Sequence, residues 1–134
     1  MEFISAEEFL KQPKEVQGIF FKWANDNAED YDLVQDNGEI MLYKDFIERA
    51  RIEFDSYPLF TEGQLRRFIE DKTEGVISEL SLYKKGYQII IGHKDEYIDS
   101  EPRTKKIFRN LNDNLLQVYW KVACEIAKES VKND

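Results

Sequence analysis

VISELSLYKKGYQIIIG, residues 76–92, decides how the rest of the chain reads. Ile77, Leu80 and Leu82 precede a Lys84-Lys85-Gly86 turn, and Tyr87, Ile89 and Ile91 follow it. Apolar residues at strand-like steps on either side of a glycine-bearing turn specify an antiparallel hairpin. The same logic holds upstream, where YDLVQ (31–35), Asp36-Asn37-Gly38 and EIMLY (39–43) follow one another. Asn-Gly suits a type I′ turn because both central residues must take positive φ. EYIDS (96–100) then predicts a third strand in meander order behind the second hairpin.

Helices surround the hairpins. Ser5 and Glu8 form an S-x-x-E capping box, with Ile4 and Phe9 at the positions of a hydrophobic staple. Pro13 begins a second helix, in which Val16, Ile19, Phe20 and Trp23 recur at three- and four-residue steps. NDNAED (25–30) reads as a loop. KDFIERARIEF (44–54) fits either period, and the expectation over 44–56 is a short helix rather than a strand. Thr61 and Gln64 make another capping box, flanked by Phe60 and Leu65, and predict a helix over 62–74 with Gly75 as its stop. Leu65, Phe68 and Ile69 are its buried stripe. The last helix, over 112–131, sets Leu115, Leu116, Tyr119, Val122, Ala123, Ile126 and Ala127 against Asn114, Gln117, Lys121, Glu125, Lys128 and Lys132. The fold class is therefore α+β: antiparallel hairpins and a meander packed against N-terminal, central and long C-terminal helices. Three prolines and six glycines in 134 residues leave no room for a linker, so one globular domain over 1–134 is expected.

Composition narrows the function. A net charge of −8 disfavours a broad nucleic-acid footprint, which needs clustered cations. Cys124 is the single cysteine, so neither an intrachain disulfide nor a multi-thiolate zinc site can form. No apolar run approaches the length of a membrane span, and MEFISAEEFLK lacks the basic-then-apolar pattern of a signal peptide. The expected setting is the cytoplasm, with no membrane partner and no cofactor.

Few residues suggest chemistry. No phosphate-binding glycine motif is present. His93 and Cys124 are the only candidates for a base and a nucleophile; the expectations are an exposed strand-end histidine and a buried, inert cysteine. Asp95, Glu96, Asp99 and Glu101, and separately Asp26, Glu29, Asp30, Asp32 and Asp36, crowd short segments without calcium-loop spacing and read as solvated acids. The basic residues are better placed for a ligand. Arg66 and Arg67 have no structural task in their helix, and Arg103, Lys105, Lys106 and Arg109 surround Ile107 and Phe108. Together they are the candidate ligand-binding residues, since cations interleaved with aromatics can hold a phosphate while a ring stacks on a base. That use requires both clusters on one face.

Two stretches carry a resemblance. PLFTEGQLRRFIEDKTEG (58–75) and NLLQVYWKVACEIAKES (114–130), with the opening ISAEEFLKQPKEVQ, resemble segments of small uncharacterised phage and prophage proteins of Gram-positive bacteria, clostridia and their relatives. They span a little over a third of the chain and bring no assigned site residues. The resemblance implies a phage-carried accessory protein. Absent catalytic motifs and abundant aromatics (Trp23, Tyr31, Tyr57, Tyr83, Tyr87, Tyr97 and Trp120 cannot all be core) favour non-enzymatic binding of a protein partner, as a modulator or inhibitor of a host system. The alternative is a nucleotide or nucleic-acid module using the Arg/Lys clusters. Homo-oligomerisation stays open.

Overall fold

The computed structural model describes residues 2–48, 56–98, 101–111 and 114–132, and within these the side chains of 94–98, 101–105 and 110 are outside the description. The α+β class holds: among the described residues there are five helices and two three-stranded antiparallel sheets. The chain forms two compact units, residues 1–64 with 127–134, and residues 65–126.

The first unit opens with α1 (Ala6–Leu10), whose Ser5 side chain accepts from the Glu8 N–H at 3.1 Å as the capping box requires. Ile4 and Phe9 are fully buried beside it. α2 (Lys14–Asn27) begins directly after Pro13, whose carbonyl accepts the first helical hydrogen bond from Gln17 at 2.9 Å. The helix runs through Asn25–Asn27, which the sequence placed in a loop. Gln17 is buried, yet its amide donates to the carbonyls of Leu10 and Gln12 and so closes the α1–α2 turn. Gly18 lies in the middle of α2, exposed, with open space where a Cβ would sit. Gly18→Ala therefore removes unfolded-state freedom without a clash, and urea unfolding should show a gain of about 0.5–1 kcal/mol.

β1 (Leu33–Asp36) and β2 (Glu39–Leu42) form the Asn-Gly hairpin, with Asn37 at φ 50° and Gly38 at φ 83°. The ambiguous segment contributes one turn of helix, α3 (Tyr43–Phe46), and residues 49–55 lie outside the description. β3 (Ser56–Leu59) pairs with β1, giving the order β2-β1-β3. The sequence reading missed this strand because Pro58 interrupts it. As an edge strand, β3 tolerates a residue that donates no ladder bond. Asp36, expected to be solvated, is 2% exposed at the end of β1.

An aromatic cluster fills the first unit. The Phe60 ring lies 5.3 Å from Phe20, 6.3 Å from Phe9 and 6.4 Å from Trp23, centroid to centroid. Phe9 also meets Phe21 edge-on at 5.1 Å. Such tilted and edge-on pairs match the positive ring edge to the negative ring face. Thr61 follows at once, and its N–H donates to Gln64 Oε1 at 2.9 Å while its Oγ1 accepts from the Gln64 N–H at 3.4 Å. This reciprocal box starts α4 (Glu62–Thr73).

Leu65, Phe68 and Ile69 of α4 are fully buried, as the stripe predicts. The helix stop differs from expectation. Glu74, at φ 51°, takes the left-handed position, and Gly75 instead opens β4 (Gly75–Tyr83). Glycine is needed there for close approach: a Cβ on Gly75 would stand 2.7 Å from the Gly92 carbonyl oxygen. β4 pairs with β5 (Gly86–Ile98) as the predicted hairpin, with Leu82 opposite Tyr87 and Leu80 opposite Ile89, and a register shift between Ile77 and Glu79 sets Ile77 opposite Ile91. The third strand is β6 (Glu101–Leu111), and the residues Glu96–Ile98 assigned to it by sequence belong to the end of β5. α5 (Leu115–Lys132) closes the chain, capped by Asn114 Oδ1, which accepts from the Gln117 N–H at 3.1 Å. Its exposed residues Lys121, Glu125, Lys128 and Lys132 form one narrow stripe, while Val118, Trp120 and Cys124 are buried along with the predicted face.

Candidate functional site

The sequence-predicted cations all belong to the second unit but to different elements. Arg66 and Arg67 occupy successive positions of α4, one exposed and the other half-buried. Consecutive helical residues diverge by about 100°, so the two guanidinium groups leave the helix in different directions. Arg103, Lys105, Lys106 and Arg109 lie on β6, to which the sequence reading assigned no element. Lys106 stands opposite Ile91, Thr104 opposite Gly92, and the register shifts between those pairs. Lys106 is half-buried and Arg109 exposed; the side chains of Arg103 and Lys105 are outside the description. The basic run is thus part of a strand ladder. His93 sits inside β5, half-buried and opposite Gly75, not at an exposed strand end. Cys124 is buried in α5, as expected.

The aromatic residues divide cleanly. Trp23 and Trp120 are core, Tyr57 and Tyr87 are half-buried, and Tyr31 and Tyr83 are exposed; the Tyr97 side chain is outside the description. Tyr57 points to the most site-like feature of the first unit, a half-open cavity of about 70 Å³. Two ring pairs stand in its wall, Phe21 with Tyr57 at 6.3 Å and Tyr43 with Phe46 at 6.2 Å, and Trp23 adds a fifth aromatic side chain. α2 supplies Phe21, Trp23 and Ala24; the β1–β3 pair supplies Val34, Tyr57 and Pro58; α3 supplies Tyr43 and Phe46. The aromatics therefore come from three short elements held together by the β2-β1-β3 sheet.

Asn25, Asp32, Ser56 and Gln64 are the polar residues of the wall among those described, and hydrogen bonds hold the side chains of Asp32 and Gln64. Among the described residues Asp32 is its only charged member, and its Oδ2 accepts from the Glu29 N–H at 2.9 Å. The Asp32 backbone is held at both ends, its N–H donating to the Glu29 carbonyl and its carbonyl accepting from Tyr43 at 2.8 Å. Gln64 is 6% exposed with its Oε1 engaged by Thr61, so the NH2 end is the donor that this wall can offer. A capping box thus also positions a polar group at the cavity.

The surrounding charge is lopsided. Residues 25–48 carry eight carboxylates and one lysine, so this segment accounts for nearly all of the chain's net −8. Lys44, that lysine, stands 5.1 Å from the centre of the Tyr31 ring. The sequence reading noted the acids and the aromatics separately. The signal that would have joined them is the alternation of Tyr31, Tyr43 and Phe46 with Glu29, Asp30, Asp32 and Asp45 in one short run.

About 70 Å³ is well below the roughly 300 Å³ at which pockets begin to enclose whole small-molecule ligands. The cavity suits the end of one inserted side chain. Among the described residues, no group of His, Cys, Asp and Glu is arranged to hold a metal ion. None of their helices is long and apolar enough to cross a membrane. No protein-family model, no curated protein and no solved structure matches the chain.

Proposed function

We propose that this protein works without catalysis, by binding a protein partner through the aromatic cavity of its first unit. The observation that carries this reading is the half-open cavity of about 70 Å³ walled by five aromatic side chains. Interfaces concentrate their binding energy in such places, where one anchor residue fills a desolvated aromatic pocket. The size argues against a nucleotide at this site, and among the described residues no Lys or Arg lines the cavity to hold a phosphate. A cytoplasmic, phage-carried modulator of a host system is the setting we propose, in keeping with the resemblance of residues 58–75 and 114–130.

Ala28 provides the test. It lies in the cavity wall just beyond the end of α2, at φ −64° and ψ 139°, a conformation open to any L-residue. Ala28→Leu should fill the cavity without touching a helix. Tagged wild-type protein, Ala28→Leu and Lys121→Glu, an exposed position of the second unit, would be used for affinity capture from bacterial host cells. The expected result is a partner retained by the wild type and Lys121→Glu and lost by Ala28→Leu. Retention by all three would refute the assignment of the cavity.

A further inference from the structure

We infer that the anchor received by this cavity is the guanidinium end of an arginine in a basic segment of the partner, an inference that rests on the proposed binding role. Three features of the same place converge on it. The wall offers the faces and edges of five aromatic side chains, and a cation over a ring face is attracted by the ring quadrupole. Among the described residues its single charged member is a carboxylate, Asp32, and none of the described cations lines it. The segment that builds much of it, residues 25–48, concentrates the negative charge of the whole molecule, which steers a basic partner and repels an acidic one.

Arginine fits this wall better than lysine. Its guanidinium is flat, weakly hydrated and able to stack on a ring while donating to a carboxylate. Tyr31 and Lys44 show the same chemistry within the chain, with the ammonium 5.1 Å from the ring centre. The Gln64 NH2 group adds a donor that a cation cannot use but a main-chain carbonyl can. A cationic side chain flanked by peptide carbonyls satisfies both ends of the wall, which favours a protein segment over a free organic cation.

The test is a titration of the 15N-labelled protein followed by amide shifts. The probes are N-acetyl-arginine methylamide and its neutral counterpart N-acetyl-citrulline methylamide, which has almost the same shape. Arginine should move the signals of Tyr43, Phe46 and Tyr57, and citrulline should bind about tenfold more weakly. Asp32→Asn keeps an oxygen for the Glu29 N–H and removes the charge, so it should weaken arginine by about tenfold and leave citrulline unchanged. Equal binding of the two probes would overturn the cationic anchor while leaving the cavity as a partner site. Shifts confined to other surfaces, or arginine binding insensitive to Asp32→Asn, would also overturn it. Partner capture unaffected by Ala28→Leu, with the arginine preference intact, would refute the binding role and not the chemistry of the pocket.

Discussion

Gly86→Ala should be the most damaging small substitution in the chain, lowering stability by about 3–5 kcal/mol in urea unfolding. Gly86 sits at φ +120°, a conformation that L side chains rarely adopt, at the turn between β4 and β5. A Cβ there would stand 1.5 Å from the Leu111 carbonyl oxygen and 2.7 Å from its carbonyl carbon. Both are backbone atoms, so no side-chain rotation relieves the overlap. Leu111 is itself buried and pairs with Tyr87, so β6 can withdraw only by giving up part of its ladder. A loss below about 1 kcal/mol, well under the cost of such overpacking, would mean that β6 does not approach the turn so closely. Gly18→Ala is the counterpart with the opposite sign, because the same methyl there meets nothing within 4 Å.

Phe60→Ala should cost about 3–5 kcal/mol as well, for a different reason. Phe60 is 0% exposed and its ring touches the rings of Phe9, Phe20 and Trp23. Removing it leaves a cavity that α1, α2 and the start of α4 cannot close, because Ile4 is tied to residue 60 by a backbone hydrogen bond of 2.8 Å. Phe60→Leu keeps most of the volume and should cost less than about 1.5 kcal/mol. Equal losses for the two variants would show that ring contacts rather than volume hold this core.

Much of the architecture was legible because local rules and tertiary packing agree. Asn37-Gly38 and Lys84-Lys85-Gly86 marked turns whose flanking strands do pair antiparallel, although only a register shift between Ile77 and Glu79 brings Ile77 opposite Ile91. The capping boxes at Ser5 and Thr61 start helices because each satisfies N–H groups that the first turn leaves without partners. What escaped were elements defined by their neighbours. β3 is four residues long with a proline in it, and only pairing with β1 makes it a strand. β6 carries Arg103, Lys105, Lys106 and Arg109 among few apolar residues, so its composition gave no strand signal, and the ladder to β5 makes it a strand. Gly75 looked like a helix stop because the sequence cannot reveal that Gly92 comes within reach of its Cβ position.

The candidate site was the least legible part. Cations stand out in an acidic sequence, and Arg66 and Arg67 drew attention for that reason. The cavity instead arises where Phe21 and Trp23 of α2, Tyr43 and Phe46 of α3 and Tyr57 of β3 converge. No spacing rule links those positions, since they lie on three elements whose meeting depends on the β2-β1-β3 order. Asp32 with the acidic run around it, and Trp23 and Tyr57 among the surplus aromatics, were visible beforehand, but nothing in the sequence brought them to one place.

The central claim is that the aromatic cavity of the first unit is where a protein partner docks. Its most direct measurement is the affinity of the captured partner for the wild-type protein and for Ala28→Leu, by titration calorimetry at one salt concentration. The account predicts a loss of at least about tenfold on filling the cavity, as expected for denying a pocket to its anchor residue. Unchanged affinity, with the variant as stable as the wild type, would contradict it.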